Sequence, residues 1–369
     1  MKVRFILGAL AIIISISLLI PGCSSPQSSG PAASAAPAAS SSHAEYKIQF
    51  LAGRPDSAEY ATTHGLADLI NKNSSWLRAT VIETSGLAAN YELVVKKPET
   101  KPFTIICGSA GNYSFITKPA GEGGTGWDWT PYNDVRFLIR LNTNVHSYAV
   151  LDKNLKSILD FKGKRVFEGG KTATRFLSDQ RILQEAGVYD SIKLTQGGFG
   201  EGATALADGL VDASITQGLS PVIPTDFVPD ATLAQLTASK QVYFANFDKT
   251  AFLSAIKKYG LSDSVLTITK PKVLGPNQTE PTVVKYDPSM LLVDKSVPDD
   301  VVTEFLRIFL ANINSLGDYH VTGKWITTKT IGFSGYAKET DYHPAALKFF
   351  KDNNIAIGIN PPELASALN

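Results

Sequence analysis

Hydrophobic and polar positions along residues 46–107 switch repeatedly between a period of two and a helical period. The opening "YKIQF" alternates as a strand does, and the segment after it places Leu66, Leu69 and Ile70 on one side of a helix. The predicted elements are strand 46–50, helix 58–72, strand 77–83, helix 87–95 and strand 103–107. Because a helix separates each strand from the next, parallel strand pairing is predicted.

A second run with the same alternation of strand and helix patterns follows the irregular residues 111–134. The predicted elements are strands 135–143, 147–152 and 163–168, helix 172–187, strand 191–196, helix 200–209 and strand 211–217. Two successive α/β units of this kind predict two lobes.

The last third of the chain is richer in helical patterns. Helix 250–260 ends in a glycine, and helix 298–319 begins with a proline and two acidic residues, as helix N-termini often do. Strand 289–295 and helix 343–354 complete the predicted elements. We expect this segment to pack back onto the first lobe.

Residues 1–22 have the pattern of a secretory signal peptide, with Lys2 and Arg4 ahead of an apolar run at 5–20. A membrane-spanning anchor is the alternative, but the run is short for one. The Ile-Pro-Gly-Cys sequence that ends at Cys23 resembles the lipobox of bacterial lipoproteins. This resemblance implies cleavage before Cys23, lipid on its thiol, and anchoring of the chain to the outer face of a cell membrane.

The segment that follows Cys23 predicts a flexible linker. Residues 24–45 are mostly Ser, Ala, Pro and Gly with almost no charge, a composition that cannot bury enough apolar surface to fold. The predicted folded part runs from Tyr46 to the end, about 320 residues, which is enough for two domains.

Charge and cysteine content exclude several classes of function. The formal net charge is +1 and becomes −1 once the two basic residues of the signal peptide are removed, with no basic patch to bind nucleic acid. Cys107 ends the apolar run "FTIIC" and is expected to be a buried, unreactive thiol.

Sequence motifs of catalysis are missing. The sequence has no Gly-x-Ser-x-Gly and no His-Glu-x-x-His, and its five histidines are scattered, His64 among them within the first predicted helix. We therefore expect a binding protein, not an enzyme, with no cofactor and no metal.

Turns after strands are the candidate binding sites, because ligands of open parallel sheets lie beyond the carboxyl ends of strands, beside helix N-termini. In the first turn, Asp56 and Ser57 are candidate ligand contacts and alternative N-caps, and Asp56-x-x-Glu59 resembles a capping box. No cap needs Arg54, whose guanidinium suits a solute carboxylate; an exposed loop charge is the alternative. Tyr60 is a candidate aromatic contact.

The second candidate turn contains Thr84, Ser85 and Gly86 and precedes the predicted helix that holds Asn90. Hydroxyl, amide and backbone N–H groups at this position suit a carboxylate or an amide. Ordinary helix capping by Thr84 or Ser85 is compatible with such binding.

The third candidate turn, 168–175, contains Thr172, Thr174 and Arg175 at a predicted helix N-terminus. Its "GKT" resembles part of a phosphate-binding loop, but Arg165 stands where that loop needs its first glycine. Solute binding without phosphate hydrolysis is favoured.

The fourth candidate turn follows the strand "VDASI" and offers Gly218 and Ser220, with a plain turn as the alternative. The long loop with Trp127 and Trp129 could line or gate a cleft, or lie on the surface.

Four longer stretches together resemble the TAXI family of solute-binding proteins, which serve tripartite ATP-independent periplasmic (TRAP) transporters. They are "GLADLINKNSSWLRATVIETSGLAANYELV", "LKSILDFKGKRVFEGGKTATRFLSDQRILQEAG", "ALADGLVDASITQGLSP" and "MLLVDKSVPDDVVTEFLRIFLANINSL". Their order and spacing carry the resemblance, which covers residues 46–352.

The resemblance implies an α/β, type II periplasmic-binding-protein fold, with two lobes on a hinge and the ligand in the cleft between them. Residues 46–142 with 246–369 would form lobe 1, and 143–245 lobe 2. The chain would capture a small solute of the amino acid, keto acid or dicarboxylate class and deliver it to the membrane subunits of a TRAP permease.

One departure from the family pattern concerns the first turn. The family has a turn rich in Gly and Thr, whereas this chain has "GRPDSAEY", with Arg54, Pro55, Asp56 and Ser57 in place of the inner glycines. The solute is therefore expected to differ from those of relatives. An ABC-importer subunit for sulfonate, nitrate or a thiamine precursor, and a ligand sensor on the same fold, remain alternatives.

Overall fold

The structure of the chain is a computed structural model that describes residues 43–55, 57–117, 131–170 and 174–365. The predicted signal peptide and lipidation residue Cys23 lie outside the described residues, and so do almost all of the linker, Asp56, Thr172, Trp127 and Trp129.

The described residues form strands and helices in alternating order. The strands are β1 (Tyr46–Gly53), β2 (Leu77–Glu83), β3 (Thr104–Ser109), β4 (Val135–Val150), β5 (Arg165–Gly169), β6 (Lys193–Gly197), β7 (Ala213–Ser220), β8 (Val228–Pro229), β9 (Tyr243–Ala245), β10 (Ser264–Ile268) and β11 (Thr282–Asp294). The α-helices are α1 (Ala58–Asn73), α2 (Leu87–Lys96), α3 (Ala110–Ile116), α4 (Thr174–Glu185), α5 (Phe199–Ala207), α6 (Ala231–Ser239), α7 (Lys249–Tyr259), α8 (Asp299–Ala311), α9 (Leu316–Tyr319), α10 (Pro344–Asp352) and α11 (Pro362–Ala365).

One curled sheet contains the described strands, in the order β2-β1-β3-β11-β4-β7-β5-β6, with β10, β8 and β9 attached to β11, β7 and β4. β1 pairs in parallel with β2 and β3, and β5 in parallel with β6 and β7. These pairings confirm the parallel α/β units that the sequence predicts.

Two long strands join the units. β4 and β11 run antiparallel side by side in the middle of the sheet, and their register shifts between the pairs Thr143–Pro288 and Arg140–Met290. A shift of this kind is typical of a β-bulge, which bends the strand. The bend lies between the two halves of the sheet.

Buried apolar side chains divide on either side of this bend. A first core holds Phe50, Leu66 and Phe305 together with the start of β4 and the end of β11. Two further clusters hold the other halves of β4 and β11, with Val166 and Phe252 in one of them. The predicted two-lobed α/β fold is confirmed, with β4 and β11 as the strands common to both lobes.

The sequence pattern gave wrong limits for both long strands. β4 was predicted as two strands with a break at residues 144–146, and β11 was predicted to begin at Ser289. Asn144 and His146 interrupt the apolar pattern of β4, and Pro288 interrupts that of β11. Ladder pairing on both sides carries the strands through these polar positions.

A buried ion pair joins β11 to α4. Lys285 Nζ lies 2.6 Å from Asp179 Oδ1, both side chains are fully buried, and the ammonium also donates to Ser178 Oγ and to the Arg175 carbonyl. Burial acts to lower the pKa of Lys285, but the charges of Asp179 and Asp263 outweigh it and raise that pKa. The lysine is therefore charged, and it holds the first turn of α4.

Replacement of this lysine tests the ion pair. Lys285→Met leaves the Asp179 carboxylate buried without its partner and should lower the free energy of unfolding by about 3–5 kcal/mol in urea denaturation. Lys295→Met, which breaks the exposed pair with Asp134, should cost less than about 1 kcal/mol. Equal effects of the two variants would contradict a structural role for Lys285, and the double variant Lys285→Met/Asp179→Leu should recover much of the loss.

Candidate ligand-binding cleft

A cavity of about 910 Å³ lies between the first core and the other two. The N-termini of α1, α2, α5 and α6 border it through Ser57, Gly86, Gly198 and Asp230. Each follows a strand or a short extended segment, as the open-sheet argument predicts. Backbone N–H groups at such ends, and the positive ends of the helix dipoles, favour an anion.

The first predicted turn brings Arg54 and Ser57 to the cavity. Ser57 is the N-cap of α1: its Oγ accepts a hydrogen bond from the Tyr60 N–H at 3.2 Å and donates to the Arg54 carbonyl at 2.8 Å. This arrangement fixes the Arg54 backbone at the edge of the cavity. Ser57, one of the two predicted N-caps, is therefore confirmed as the cap of α1. The alternative cap Asp56 lies outside the described residues, and the carboxylate of Glu59 accepts a hydrogen bond from Ser289 Oγ.

Tyr60 does not reach the cavity lining. It lies one turn into α1, where its ring packs against the exposed His64 at 4.5 Å between centroids. This placement does not support the predicted contact between Tyr60 and a ligand.

The second predicted turn splits between the cavity and the core. Ser85 and Gly86 line the cavity, and Gly86 takes the N-cap position of α2 with φ of +146°, a conformation that favours glycine. Thr84 and Asn90 are buried instead. The Asn90 amide donates to the carbonyls of Leu51 and Cys107 at 2.9 and 2.8 Å, and Thr84 Oγ1 donates to Asn90 Oδ1.

Asn90 and Thr84 therefore hold the carboxyl ends of β1 and β3 together. They were predicted to contact the ligand, but they are buried and lie outside the cavity lining. The same region confirms that Cys107 is a free, fully buried thiol.

The third predicted turn places Arg175 in the cavity, one residue into α4. Its guanidinium lies 3.4 Å over the ring of Phe199, a cation–π contact. The Arg175 Nε is buried and makes no hydrogen bond to the described residues. Burial lowers the pKa of Arg175 to about 10, against the opposing charges of Glu168 and Asp179, so the group stays positive at neutral pH. Thr174 opens α4, and Thr172 is outside the described residues.

The fourth predicted turn is a strand. β7 continues through Ser220, so Gly218 pairs with Val145 and a side chain at Gly218 would collide with the ring of Phe227. The Ser220 hydroxyl donates to the Pro221 carbonyl. Gln217 and Leu219 line the cavity in their place, because side chains alternate between the two faces of a strand.

Sequence reasoning missed the floor of the cavity, which is made by Asn144 and His146 of β4 and Asp287 of β11. These side chains are 4%, 3% and 7% exposed. Asn144 Oδ1 accepts from Gln217 Nε2 at 3.1 Å, and Asp287 Oδ1 accepts from the Gly111 N–H at 2.9 Å. The signal was the period-two series of polar residues at 142, 144 and 146 inside an apolar strand.

His146 presents an unsatisfied nitrogen. Its Nδ1 is buried and makes no hydrogen bond to the described residues. Burial, followed by the charges of Lys285 and Arg175, lowers the pKa of His146 well below its usual value, so the ring is neutral at neutral pH. The ring stacks near Phe199, at 6.4 Å between centroids, beside the Arg175 guanidinium.

Asp230 was also missed, because no helix was predicted after it. It caps α6, accepting from the Leu233 N–H at 2.7 Å and from Thr232 Oγ1 at 2.9 Å. The positive charges of Arg54 and Arg175 both act on the Asp230 carboxyl. Arg54 also lowers the pKa of Arg175. Both arginines line the cavity, one from each lobe, and their positive charges repel each other.

Buried carboxyl groups beneath the cavity have high pKa values. Burial, followed by the charge of Asp263, raises the pKa of Asp287 to about 7. Burial and then the charge of Asp179 raise the pKa of Glu168, which accepts a hydrogen bond from the Tyr148 hydroxyl, to about 8. At neutral pH these two groups therefore carry less negative charge than two ionised carboxylates would.

Metal and membrane features were also sought in the described part of the chain. There, no group of His, Cys, Asp or Glu side chains could hold a metal ion. None of the helices described is long and apolar enough to span a membrane.

A family model described as the NMT1-like family matches residues 51–353. No curated protein matches the sequence. Similar solved structures include MatC from Rhodopseudomonas palustris with bound malate, at 11% identity over 76% of this chain and 89% of that one, with a TM-score of 0.47.

Two further structures show similarity over longer spans. The periplasmic aliphatic sulphonate-binding protein SsuA from Escherichia coli is 11% identical over 89% of this chain and 98% of that one, with a TM-score of 0.44. A TRAP periplasmic solute-binding protein from Anaerococcus prevotii with bound glucuronate is 13% identical over 88% and 90%, with a TM-score of 0.39. These similarities assign neither a ligand nor a transporter to this chain.

The raised pKa values predict a stability that falls as pH rises. Between pH 6.5 and 8.5 the carboxyls of the unfolded chain are already ionised, whereas Asp287 and Glu168 of the folded chain still bind protons at the lower pH. Because the folded state binds more protons, its stability falls as these protons are lost. The free energy of unfolding should drop by on the order of 2 kcal/mol, as measured by urea denaturation at several pH values. The double variant Glu168→Gln/Asp287→Asn should flatten the profile; a parent profile that rises with pH would contradict these values.

Proposed function

The chain belongs to the NMT1-like family, and from this premise and the geometry of the cleft we propose that it is an extracytoplasmic solute-binding protein. It captures a small, carboxylate-bearing solute between its lobes. The finer placement, among TAXI-type proteins that serve TRAP permeases, is part of the proposal and rests on the sequence resemblance.

The observation on which the proposal depends is the state of Arg175. Its guanidinium lines the cavity and its Nε has no hydrogen-bond partner among the described residues, although the atom is buried. A buried donor without a partner costs about 1–3 kcal/mol. A solute carboxylate would satisfy this donor and compensate the charge.

The acidic side chains around Arg175 do not serve as the hydrogen-bond partner of its Nε. Asp179 is paired with Lys285, and the high pKa of Glu168 leaves that group largely protonated at neutral pH. Asp230, on which the Arg175 charge acts, caps α6 through Oδ1 and makes no hydrogen bond to the Arg175 Nε in the part of the chain that the structure describes. An incoming anion is therefore the partner that the positive charge favours.

Capture would proceed by closure of the lobes about β4 and β11, a hinge motion. The proposed lobes are residues 46–142 with 246–369, and residues 143–245. Phe247, Phe252 and Val265 pack in the same apolar cluster as Val166 of the other lobe. This packing favours a lobe 2 that also includes segment 246–286. A solute that contacts Arg54 and Arg175 together would favour the closed state.

Lipid on Cys23, followed by the linker, is proposed to keep the binding protein at the membrane face where a permease works. A TRAP permease uses an ion gradient, whereas an ABC importer uses ATP, so the energy source of solute uptake distinguishes these partners. A sensor would bind the solute without supporting uptake, and an enzyme would convert it.

Replacement of Arg175 tests the solute class. We expect Arg175→Gln to weaken binding of the acids that bind the parent by roughly 10- to 100-fold, because a charge-assisted hydrogen bond is lost. The measurement is calorimetry, after a thermal-shift screen of amino acids, keto acids and mono- and dicarboxylates. Arg54→Ala should weaken the same acids.

A matched control is available in Arg165→Gln, since Arg165 pairs with Asp212 outside the cavity. This variant should bind as the parent does. Should no acid stabilise the parent, or should Arg175→Gln bind every acid unchanged, the proposal of acid capture would be wrong.

The anchor has its own test. Lipid labelling in cells should mark the parent and should be abolished in Cys23→Ala, with loss of the protein from the membrane fraction. Cys107→Ala is the matched control, because that thiol is buried in the core and should not affect labelling. Labelling that persists in Cys23→Ala would rule out this anchor.

A further inference from the structure

One wall of the cavity is apolar. Helix α2 presents Leu87, Ala88, Tyr91 and Val95 to it, at the spacing of a single helix face. Leu87 and Val95 are half-buried, so part of each side chain faces the cavity rather than the core. Across the cavity, Leu219 and Val228 from the other lobe continue this apolar surface.

The positive charge of the cavity comes mainly from two arginines, one from each lobe. Arg54 and Arg175 are close enough for one to lower the pKa of the other, and they share the influence on Asp230. The unsatisfied Nε of Arg175 and Nδ1 of His146 both flank Phe199. The cavity therefore has one end suited to an acid group.

The charged residues on the α2 side of the cavity pair with each other. Lys96 and Glu92 both line the cavity and form an ion pair on the helix surface, so an acid group near Lys96 also meets the negative charge of Glu92. A second carboxylate placed against Val95, in the last turn of α2, would be desolvated beside the negative end of the helix dipole, which is unfavourable.

The size of the cavity points the same way. Its volume of about 910 Å³ lies near the upper end of the roughly 300–1,000 Å³ typical of pockets that enclose drug-sized ligands. A solute with an apolar body would bury surface on both walls, which is the main favourable contribution in such pockets.

We propose that the solute is a monocarboxylic acid whose apolar body is at least as large as an aromatic ring. Its carboxylate lies at Arg54 and Arg175, and its body lies against the α2 face formed by Leu87, Ala88, Tyr91 and Val95. This inference rests on the proposed function, because it specifies the class of solute that the same cleft takes.

Three acids that share a butyrate unit, and carry hydrogen, a second carboxylate or a phenyl group at its far end, test the class directly. The parent protein is titrated by calorimetry with butyrate, glutarate and 4-phenylbutyrate. We expect 4-phenylbutyrate to bind at least roughly tenfold more tightly than either of the others, because only it buries a ring. The uncharged 4-phenylbutan-1-ol should bind at least roughly tenfold more weakly than 4-phenylbutyrate, because it lacks the charged group.

The possible outcomes separate the two proposals. Glutarate binding as tightly as 4-phenylbutyrate, or more tightly, would overturn the apolar-body inference and leave acid capture intact. Tight binding of the alcohol would overturn the role of the arginines. Absence of binding by all three acids would overturn the inference, and the wider acid screen decides whether acid capture fails with it.

Variants of α2 locate the apolar body. Leu87→Asn and Val95→Asn should each weaken 4-phenylbutyrate by roughly five- to tenfold and weaken butyrate less, since the ring makes most of the contact with this wall. Leu93→Asn is the matched control on the same helix, because Leu93 is 38% exposed and outside the cavity lining. Melting curves verify that each variant folds, and an equal effect of Leu93→Asn and Leu87→Asn would contradict the assigned wall.

Discussion

The buried contact of Lys285 with Asp179 is the interaction on which the other features of the cleft depend. It attaches a strand common to both lobes to the first turn of α4, and the same ammonium holds the Arg175 carbonyl. A charge in this position needs its partner, because an isolated ion in the protein interior is very costly. The sheet, the strands common to both lobes and the cavity residue Arg175 are thereby linked through one side chain.

Around this contact, the cavity separates its charges. Acidic groups are engaged in helix capping, paired with a lysine, or held partly protonated by burial, as Asp230, Asp179 and Glu168 illustrate. The arginine Nε and the histidine Nδ1 lack such partners within the described residues. The resulting field favours an anion near the arginines, while most of the α2 face is apolar apart from the Lys96–Glu92 pair.

Most of the local structure could be predicted from the sequence, and much of the site could not. Strand β2 and the C-terminal glycine of α7 follow from periodicity and from the conformational freedom of Gly260. Arg54, Ser57, Ser85 and Arg175 reached the cavity because helix N-termini collect at the carboxyl ends of strands. Tyr60, Asn90 and Gly218 did not, because side-chain direction within a turn or strand depends on where the element begins and ends.

By itself, the sequence determined the alternation of strands and helices, the parallel units and the polar turns that follow them, because these depend on periodicity and local backbone preference. Only the tertiary structure decided that β4 and β11 run unbroken through their polar residues, and this brought Asn144, His146 and Asp287 to one floor. The physical reason is that a polar residue inside a strand ends the strand or lines a cavity according to what packs against it. The residues that contact it, which come from distant parts of the chain, determine which of the two occurs.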